Sequence, residues 1–456
     1  MDFSESYRCS LLPAYSPDGR FIAAAVEYRL VVREVESLKV VQIYSCLDKI
    51  HRIEWSANGK YVLCGLYSRG IVQVWSVEDP EWACKIDEGP AGIKHCRWSP
   101  DGLSVVLVAD FCVRMTIWSL VDRKCTYLPG PKHASKGIAF SPRADQLAVL
   151  ERKDCKDWLA LYSTSSGWEL QARLQLPTLD AADLSWSPDS SKLAVWDSAL
   201  TYAVHVLGAD GEALGSYSAY GDGLGVRSVG WSPGGDLLAV GSYDQVVRVL
   251  NGVTWQPLLE CHHGSPVDEP AQVAVYQEVE EPRGVLAPLQ AVEEPSGMLA
   301  PLQLQQQQSP AAKRDTRARY LVCPLPVEVT NITPPTNKPN PTLGVGSIAW
   351  SPNSSLLATV NENMPHAVWI WDVLSASLAA VLVHIGSVRS MAWSPAGDYL
   401  AVGTGNCRVY VWTAEGASIV HIPLAGFSAS QLAWAPDGSS FALMDQEAFC
   451  CAYVTS

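Results

Sequence analysis

One short phrase recurs along the chain and constrains its fold more than any other feature: an aromatic residue, then Ser, Pro, and a polar or glycine turn leading into an apolar run. It stands as YSPDGRFIAAAV at 15, WSANGKYVLCGL at 55, WSPDGLSVVLVA at 98, FSPRADQLAVLE at 140 and WSPDSSKLAVWD at 186. It returns as WSPGGDLLAVGS at 231, WSPNSSLLATVN at 350, WSPAGDYLAVGT at 393 and WAPDGSSFALMD at 434. The second positions step by 40, 43, 42, 46, 45, 119, 43 and 41 residues, so one step breaks an otherwise tight period. A second landmark holds the register. VQVW, MTIW, LALY, AVHV, VRVL, VWIW and VYVW each end 18 to 21 residues beyond their own turn, as two strands paired in register require.

Each unit is β throughout. An apolar stretch enters the Ser-Pro-Asp-Gly turn, and three further β-rich runs follow, separated by polar residues. Pro presets φ at the second turn position, and Asp, Asn and Gly accept the tight backbone beyond it, so the motif needs no ligand to explain it. The aromatic residue before each turn is Trp in seven of nine units. At one fixed place per unit it reads as packing between neighbouring sheets, contributing about 2–3 kcal/mol each.

A period of about 40 to 45 residues with four strands per unit belongs to radially stacked blades. The expected fold is therefore all-β, a WD40-like β-propeller with nine blades in one ring; seven or eight blades plus extra β units are the alternative. The last unit has three strands, and residues near 3–8 are expected to supply its fourth by pairing near 448–455, removing two open edges. On this plan residues 1–263 hold blades 1 to 6 and residues 344–456 hold blades 7 to 9.

Residues 264–343 account for the long step. Their composition shifts to Pro, Gln and Glu, and VEEPRGVLAPLQ at 279 is duplicated as VEEPSGMLAPLQ at 292. Such text buries too little apolar surface to fold alone, so about 280–317 is expected to be a disordered tip. The flanks AQVAVYQEV and RYLVCPLPVEV look like strands of a hairpin arm projecting from the ring, with a degenerate tenth blade as the competing reading.

The remaining signals narrow the function. A net charge of −14 disfavours phosphate neutralisation, so no nucleic-acid partner is expected. The start of the chain lacks a signal-peptide pattern and no apolar run is long enough to span a membrane, which points to a cytoplasmic protein without membrane insertion. The 13 cysteines show no C-x-x-C pair. Adjacent Cys261, His262 and His263 point different ways and cannot easily share an ion, so no metal or cofactor is expected. No phosphate loop or nucleophile elbow occurs. His51, His95 and His205 lie in or near strands that could reach a central channel, but no set converges by motif, and the chain reads as non-enzymatic. Asp101, Asp189, Asp244 and Asp437 read as turn acids that cap backbone amides.

Several longer stretches say more than blade construction requires. YRLVVREVESL (28–38), CLDKIHRIEWSANGKYVLC (46–64), RGIVQVWSVEDPEWACKIDEGPAG (69–92), ERKDCKDW (151–158), LAVGSYDQVVRVLNGVTW (238–255) and HAVWIWD (366–372) resemble the WD-repeat protein eight family, which is centrosomal. The resemblance covers nearly the whole chain except 279–308. Two hallmarks of WD repeats are sparse: the Gly-His dipeptide is missing, and Trp-Asp closes one blade only, at Trp371 and Asp372. The resemblance implies a scaffold of the cytoskeleton at the centrosome, basal body or spindle pole. It would bind a coiled-coil adaptor of the afadin- and alpha-actinin-binding type, with a minus-end-directed kinesin-14 and gamma-tubulin complex components as further partners. It would help to anchor microtubule minus ends in spindle assembly and cilium formation. The nine repeated turns also resemble the propellers of certain translation initiation factors, which makes a ribonucleoprotein-associated scaffold the alternative.

Contact surfaces are sought in loops that carry more sequence than their turns demand. SVEDPEWACKIDEGPAG (76–92) offers Trp82, Asp87 and Glu88, with packing of Trp82 on its own blade as the plain alternative. ERKDCKD (151–157) offers Arg152 and Lys153, with Lys156 beside them, to meet an acidic helix or simply to be solvated. The tip of the turn after 242 offers Tyr243 and Gln245.

Overall fold

Alternating β-rich runs and polar turns produce nine sheets in the computed structural model, which describes residues 1–268, 273–282, 316–333, 342–397 and 399–454. Blade 1 is typical: Ala14–Tyr15, Phe21–Val26, Arg29–Glu34 and Val40–Ser45 pair antiparallel in chain order. Blades 2 to 6 follow the same meander through His262, and blades 8 and 9 begin at Ser390 and Gln431. At seven of the nine seams the first strands of successive blades touch one another, so the first strands ring the axis and the fourth strands form the outer rim.

The second strands are apolar almost without interruption, as Ser104–Val108 and Leu237–Ser242 show. Each lies between the sheets of two neighbouring blades, so both of its faces are covered and simple alternation is lost. Outer strands such as Leu170–Gln175 alternate instead, because one side meets solvent.

The repeated phrase performs two tasks. Its serine locks the turn: Ser187 Oγ donates to Asp189 Oδ1 (2.5 Å) and accepts the amide of Lys192 (2.9 Å). Its tryptophan joins blades. Trp55, Trp98, Trp186, Trp231, Trp350, Trp393 and Trp434 each donate Nε1–H to a first-strand carbonyl of the preceding blade, at 2.9 to 3.1 Å. Where blade 4 has Phe140, Arg97 of blade 3 compensates by donating to the Ile138 carbonyl (3.0 Å) while its guanidinium lies over the Phe140 ring. Asp101, Asp189 and Asp437 share this first turn, whereas Asp244 belongs to the next one, between second and third strands.

The ring closes as the termini predict. Asp2–Phe3 and Tyr7–Arg8 pair antiparallel with the last strand, Ala448–Tyr453, and complete blade 9. The insertion differs from a free arm. Its strands Ala274–Pro282 and Thr316–Cys323 form a hairpin, and the first lies parallel to the outer strand of blade 7, Ser377–Val383, making one six-stranded sheet. Buried Val267, Val273, Val275 and Val329 extend the core between blades 6 and 7, and that apolar surface holds the hairpin down. Residues 283–315, where a disordered tip is expected, lie outside the described residues.

Candidate interaction face

A propeller has two faces of different construction. One carries the Ser-Pro-Asp-Gly turns and the turns between third and fourth strands. The other carries the turns between second and third strands together with the connections from blade to blade, and is here called the connection face.

The residues singled out in the sequence divide between them. Trp82 stands on the turn face, half-buried, with its ring 4.8 Å from Tyr61 of the same blade. Asp87 and Glu88 lie at the other end of the same outer strand, on the connection face. Asp87 is exposed; it accepts the Gly89 amide (3.0 Å) and pairs with Lys85 (3.1 Å). The Glu88 carboxylate turns inward and accepts from Arg114 (2.9 Å), Thr116 (3.2 Å) and Trp118 (2.9 Å), which fastens blade 2 to blade 3.

Blade 4 presents Arg152, Lys153 and Lys156 on the connection face. Arg152 joins buried Asp157 (2.9 Å) and Asp180 (3.2 Å), and Lys132 bonds to the same two carboxylates at 3.0 and 2.7 Å. Burial alone would raise the Asp157 carboxyl, but the Ala181 amide, Lys132 and Arg152 together hold it below the usual carboxylate range. Lys153 and Lys156 are exposed and make no ion pair among the described residues.

Tyr243 is half-buried under the Arg227 guanidinium and lines a cleft of about 380 Å³ with Tyr220, Asp222, Leu224, Asp244 and Leu343. Asp244 caps the Val246 amide (3.2 Å) and pairs with Arg248 (2.8 Å).

Beside these groups the connection face carries apolar side chains at turn positions that polar residues usually fill. Phe111 is 96 % exposed, and Val113, Leu179 and Leu200 also project into solvent. Phe111 and Cys112 both have left-handed backbone (φ 57° and 53°). Two glycines hold that turn in place: a Cβ on Gly92 would strike Asp110 Oδ2 at 2.2 Å, and one on Gly130 would strike the Cys112 carbonyl at 1.8 Å. Non-glycine residues in this region cost about 1–3 kcal/mol each, so the neighbouring connections impose the conformation that pushes Phe111 outward.

The WD domain, G-beta repeat model matches residues 211–251 and 377–413. The mouse WD repeat-containing protein WRAP73 is 40% identical over 456 residues, covering 100% of this chain and 96% of that one. The chain belongs to the WRAP73 family of WD-repeat proteins. An uncharacterised WD repeat-containing protein of Schizosaccharomyces pombe is 22% identical over 464 residues, spanning 95% of this chain and 88% of its own. Among solved structures, the C-terminal WD40 domain of Sif2 superposes with a TM-score of 0.52 at 11% identity, covering 100% of this chain and 98% of that one. A eukaryotic initiation factor gives 0.57, also at 11% identity, covering 92% and 89%. At that identity both show the propeller fold alone.

Within this WD-repeat chain, the blade whose third strand ends in Trp371-Asp372 takes part in a hydrogen-bond chain that the sequence did not disclose. Trp371 Nε1–H donates to Thr359 Oγ1 (3.0 Å), and the Thr359 hydroxyl lies 2.8 Å from His263 Nε2. His263 Nδ1 lies 2.7 Å from the Gln245 carbonyl. A carbonyl can only accept, so Nδ1 carries the proton and Nε2 accepts from the threonine. Burial pushes His263 down to about 4, which keeps it neutral and suits this chain. Gln245 is thereby tied into the seam between blades 6 and 7, and its Oε1 also accepts from Asn361 (3.0 Å). The rest of Cys261-His262-His263 points elsewhere: Cys261 is buried in the core, and exposed His262 faces Glu260 at 3.5 Å. Among the described residues no three His, Cys, Asp or Glu side chains gather as a metal set.

The histidines expected near the channel are spread out. His51 stacks on Tyr67 before the first strand of blade 2, and His95 starts the first strand of blade 3. His205 is in the third strand of blade 5, away from the axis. The exposed Phe111, Val113, Leu179 and Leu200 were missed. Their signal is an apolar residue inside a short polar turn, as in ADFCV and DSALT.

Proposed function

We propose that this WD-repeat chain is a non-enzymatic scaffold at the centrosome, basal body or spindle pole, and that its connection face over blades 3 to 5 binds a coiled-coil adaptor. The observation that carries the reading is the grouping of Phe111, Val113, Leu179 and Leu200 with unpaired Lys153 and Lys156 on neighbouring blades of one face. Rigidly held aromatic anchors beside a charged rim are how interfaces concentrate their energy. An amphipathic helix with an acidic flank would bury the apolar side chains and meet both lysines. The resemblance to the WD-repeat protein eight family supports the cellular site and the partners named with it: an afadin- and alpha-actinin-binding type adaptor, kinesin-14 and gamma-tubulin complex components. It also supports a role in anchoring microtubule minus ends.

Proximity labelling with the full tagged chain, wild type against Phe111→Asp/Leu200→Asp, tests both parts. The expected result is labelling of coiled-coil centrosomal proteins, lost in the double variant while its circular dichroism and melting stay unchanged. A diffuse signal through mitosis, or co-sedimentation with small ribosomal subunits in place of centrosomal labelling, would overturn the reading.

A further inference from the structure

The outer rim contains a second kind of surface, independent of the connection face. An outer strand has one free edge, and such edges are blunted by charge, Pro, Gly or short length so that they do not recruit other strands. The rim strands obey this with two exceptions. ACKID, CTYLP, LQARLQ, ALGSY, PLLECH and GASIVH, the outer strands of blades 2 to 6 and 8, each contain a charged residue, Pro, Gly or His. Blade 9 ends in two strands of two residues, each with a charge.

The exceptions are Ser377–Val383, SLAAVLV, of blade 7 and Val40–Ser45, VVQIYS, of blade 1. The chain covers the first itself. Ala274–Pro282 lies along it in parallel register, from Ala274 opposite Ala380 to Gln277 opposite Val383. The acids of that added strand find cations: Glu278 and Glu280 pair with Arg408 at 2.8 and 2.7 Å. The second has no neighbour beyond it among the described residues. Ile43 is 58 % exposed, and Val40 and Val41 are exposed with it. The other face of the strand is firmly seated, since Tyr44 stacks on Trp75 at 4.9 Å and donates its hydroxyl to the Ser76 carbonyl (2.6 Å).

Three cations flank this edge, Arg33 donating to the Leu38 carbonyl (2.8 Å), and two acids, Glu34 and Glu36, stand in the turn before it. Lys39 precedes the strand, Arg33 pairs opposite Val40 and Arg29 opposite Ser45. The guanidiniums lie over Tyr7 and Tyr28, and none of the three meets a carboxylate among the described residues. An apolar edge with cations at both ends suits a segment of the kind that covers blade 7, apolar where Ala274, Val275 and Tyr276 lie along the edge and acidic just beyond it, at Glu278, Glu280 and Glu281.

We propose that Val40–Ser45 is a β-augmentation site, where an extended acidic segment of a partner protein adds a fifth strand to blade 1. Main-chain hydrogen bonds along the free edge would hold the segment, Val41 and Ile43 would take its apolar side chains, and Arg29, Arg33 and Lys39 its carboxylates.

A fluorescein-labelled peptide with the sequence VAVYQEVEEP, that of residues 273–282, serves as the probe with the full chain. Saturable anisotropy binding is expected, weakened about tenfold or more by Ile43→Glu and by Lys39→Glu/Arg29→Glu. Amides of residues 40–45 should gain hydrogen-exchange protection in the wild type, a readout that needs no variant. No binding, or binding that Ile43→Glu leaves intact because the probe displaces its own counterpart on blade 7, overturns the proposal. So does a wild-type dimer that Ile43→Glu dissociates, which would make the edge a contact between copies.

Discussion

A tryptophan in this chain acts through its N–H as well as its bulk. Trp231 Nε1 donates to the Ser185 carbonyl at 3.1 Å, and six other tryptophans do the same at their seams. Trp231→Phe keeps most of the buried area but leaves that carbonyl without its donor, so a loss of about 1–2 kcal/mol is expected. Trp231→Ala, which also opens a cavity, should cost about 3–5 kcal/mol. Urea titration of both variants checks the order, and equal losses would mean that the hydrogen bond contributes nothing. The repeat made the place of these rings legible, but not their acceptors, which lie on the preceding blade about 40 residues or more away in sequence. The buried histidines give a second prediction. Burial pushes His95 and His263 down to about 4 and His384 to about 3, from an ordinary 6.5. The unfolded chain therefore binds more protons below 6.5, so their contribution is complete above that pH and is lost as pH falls towards the folded values. His263→Asn should flatten the dependence of stability on pH between 6.5 and 4 by about one proton, or about 1.4 kcal/mol per pH unit, in urea midpoints taken across that range.

At the scale of elements, one buried carboxylate ties the hairpin to blade 8. Glu278 accepts from Tyr410 (2.7 Å), Arg408 (2.8 Å) and the Ile385 amide (2.9 Å), joining the insertion to blade 8 while its strand pairs with blade 7. Glu278→Ala leaves Arg408, itself buried, with only the half-exposed Glu280, and an expected loss of about 3 kcal/mol or more. Adding Arg408→Met should return part of it. Trypsin should cleave faster after exposed Arg317 and Arg319 in the single variant; unchanged cleavage and melting would show the contact to be idle. The two strands of the hairpin were visible in the sequence because each is a β-rich run. Their docking was not. Glu278 reads as a solvent-facing acid, and the groups that make its burial tolerable lie 107 to 132 residues further on. The same distance problem hid the role of His263, whose partners Gln245 and Thr359 flank the insertion. Short polar turns concealed Phe111 and Leu200 for a different reason: whether an apolar turn residue packs or projects depends on the neighbouring connections, which carry no local signal.

For the molecule as a whole, nine near-equal units were legible because each blade repeats the same solution to burying two sheet faces, and a ring is what removes the last open faces. Closure is where the units are least alike. Seven seams have a tryptophan N–H on a carbonyl, but blade 1 meets blade 9 through Tyr15, whose hydroxyl reaches the Cys451 thiol at only 3.9 Å. The closing strand is broken into Asp2–Phe3 and Tyr7–Arg8, joined to its neighbour by register pairs at Tyr453, Ala452, Phe449 and Ala448. Compensation comes from the Ser4 and Cys9 amides, which donate to Cys451 and Glu447 (2.9 Å each), and from Tyr453, whose hydroxyl donates to the Val35 carbonyl (2.8 Å). Fewer ladder bonds and a weak hydroxyl–thiol contact make this seam the one that opens at the lowest free-energy cost. Native-state hydrogen exchange should therefore show Ala448–Tyr453 exchanging before Val204–Gly208, the third strand of blade 5, whose two neighbours in the sheet are continuous. Tyr15→Trp should narrow the difference if its indole reaches a blade 9 carbonyl as the other seven do. Equal protection of the two strands in the wild type would mean that the ring has no preferred opening and that the N-terminal strands close it as firmly as any covalently continuous blade.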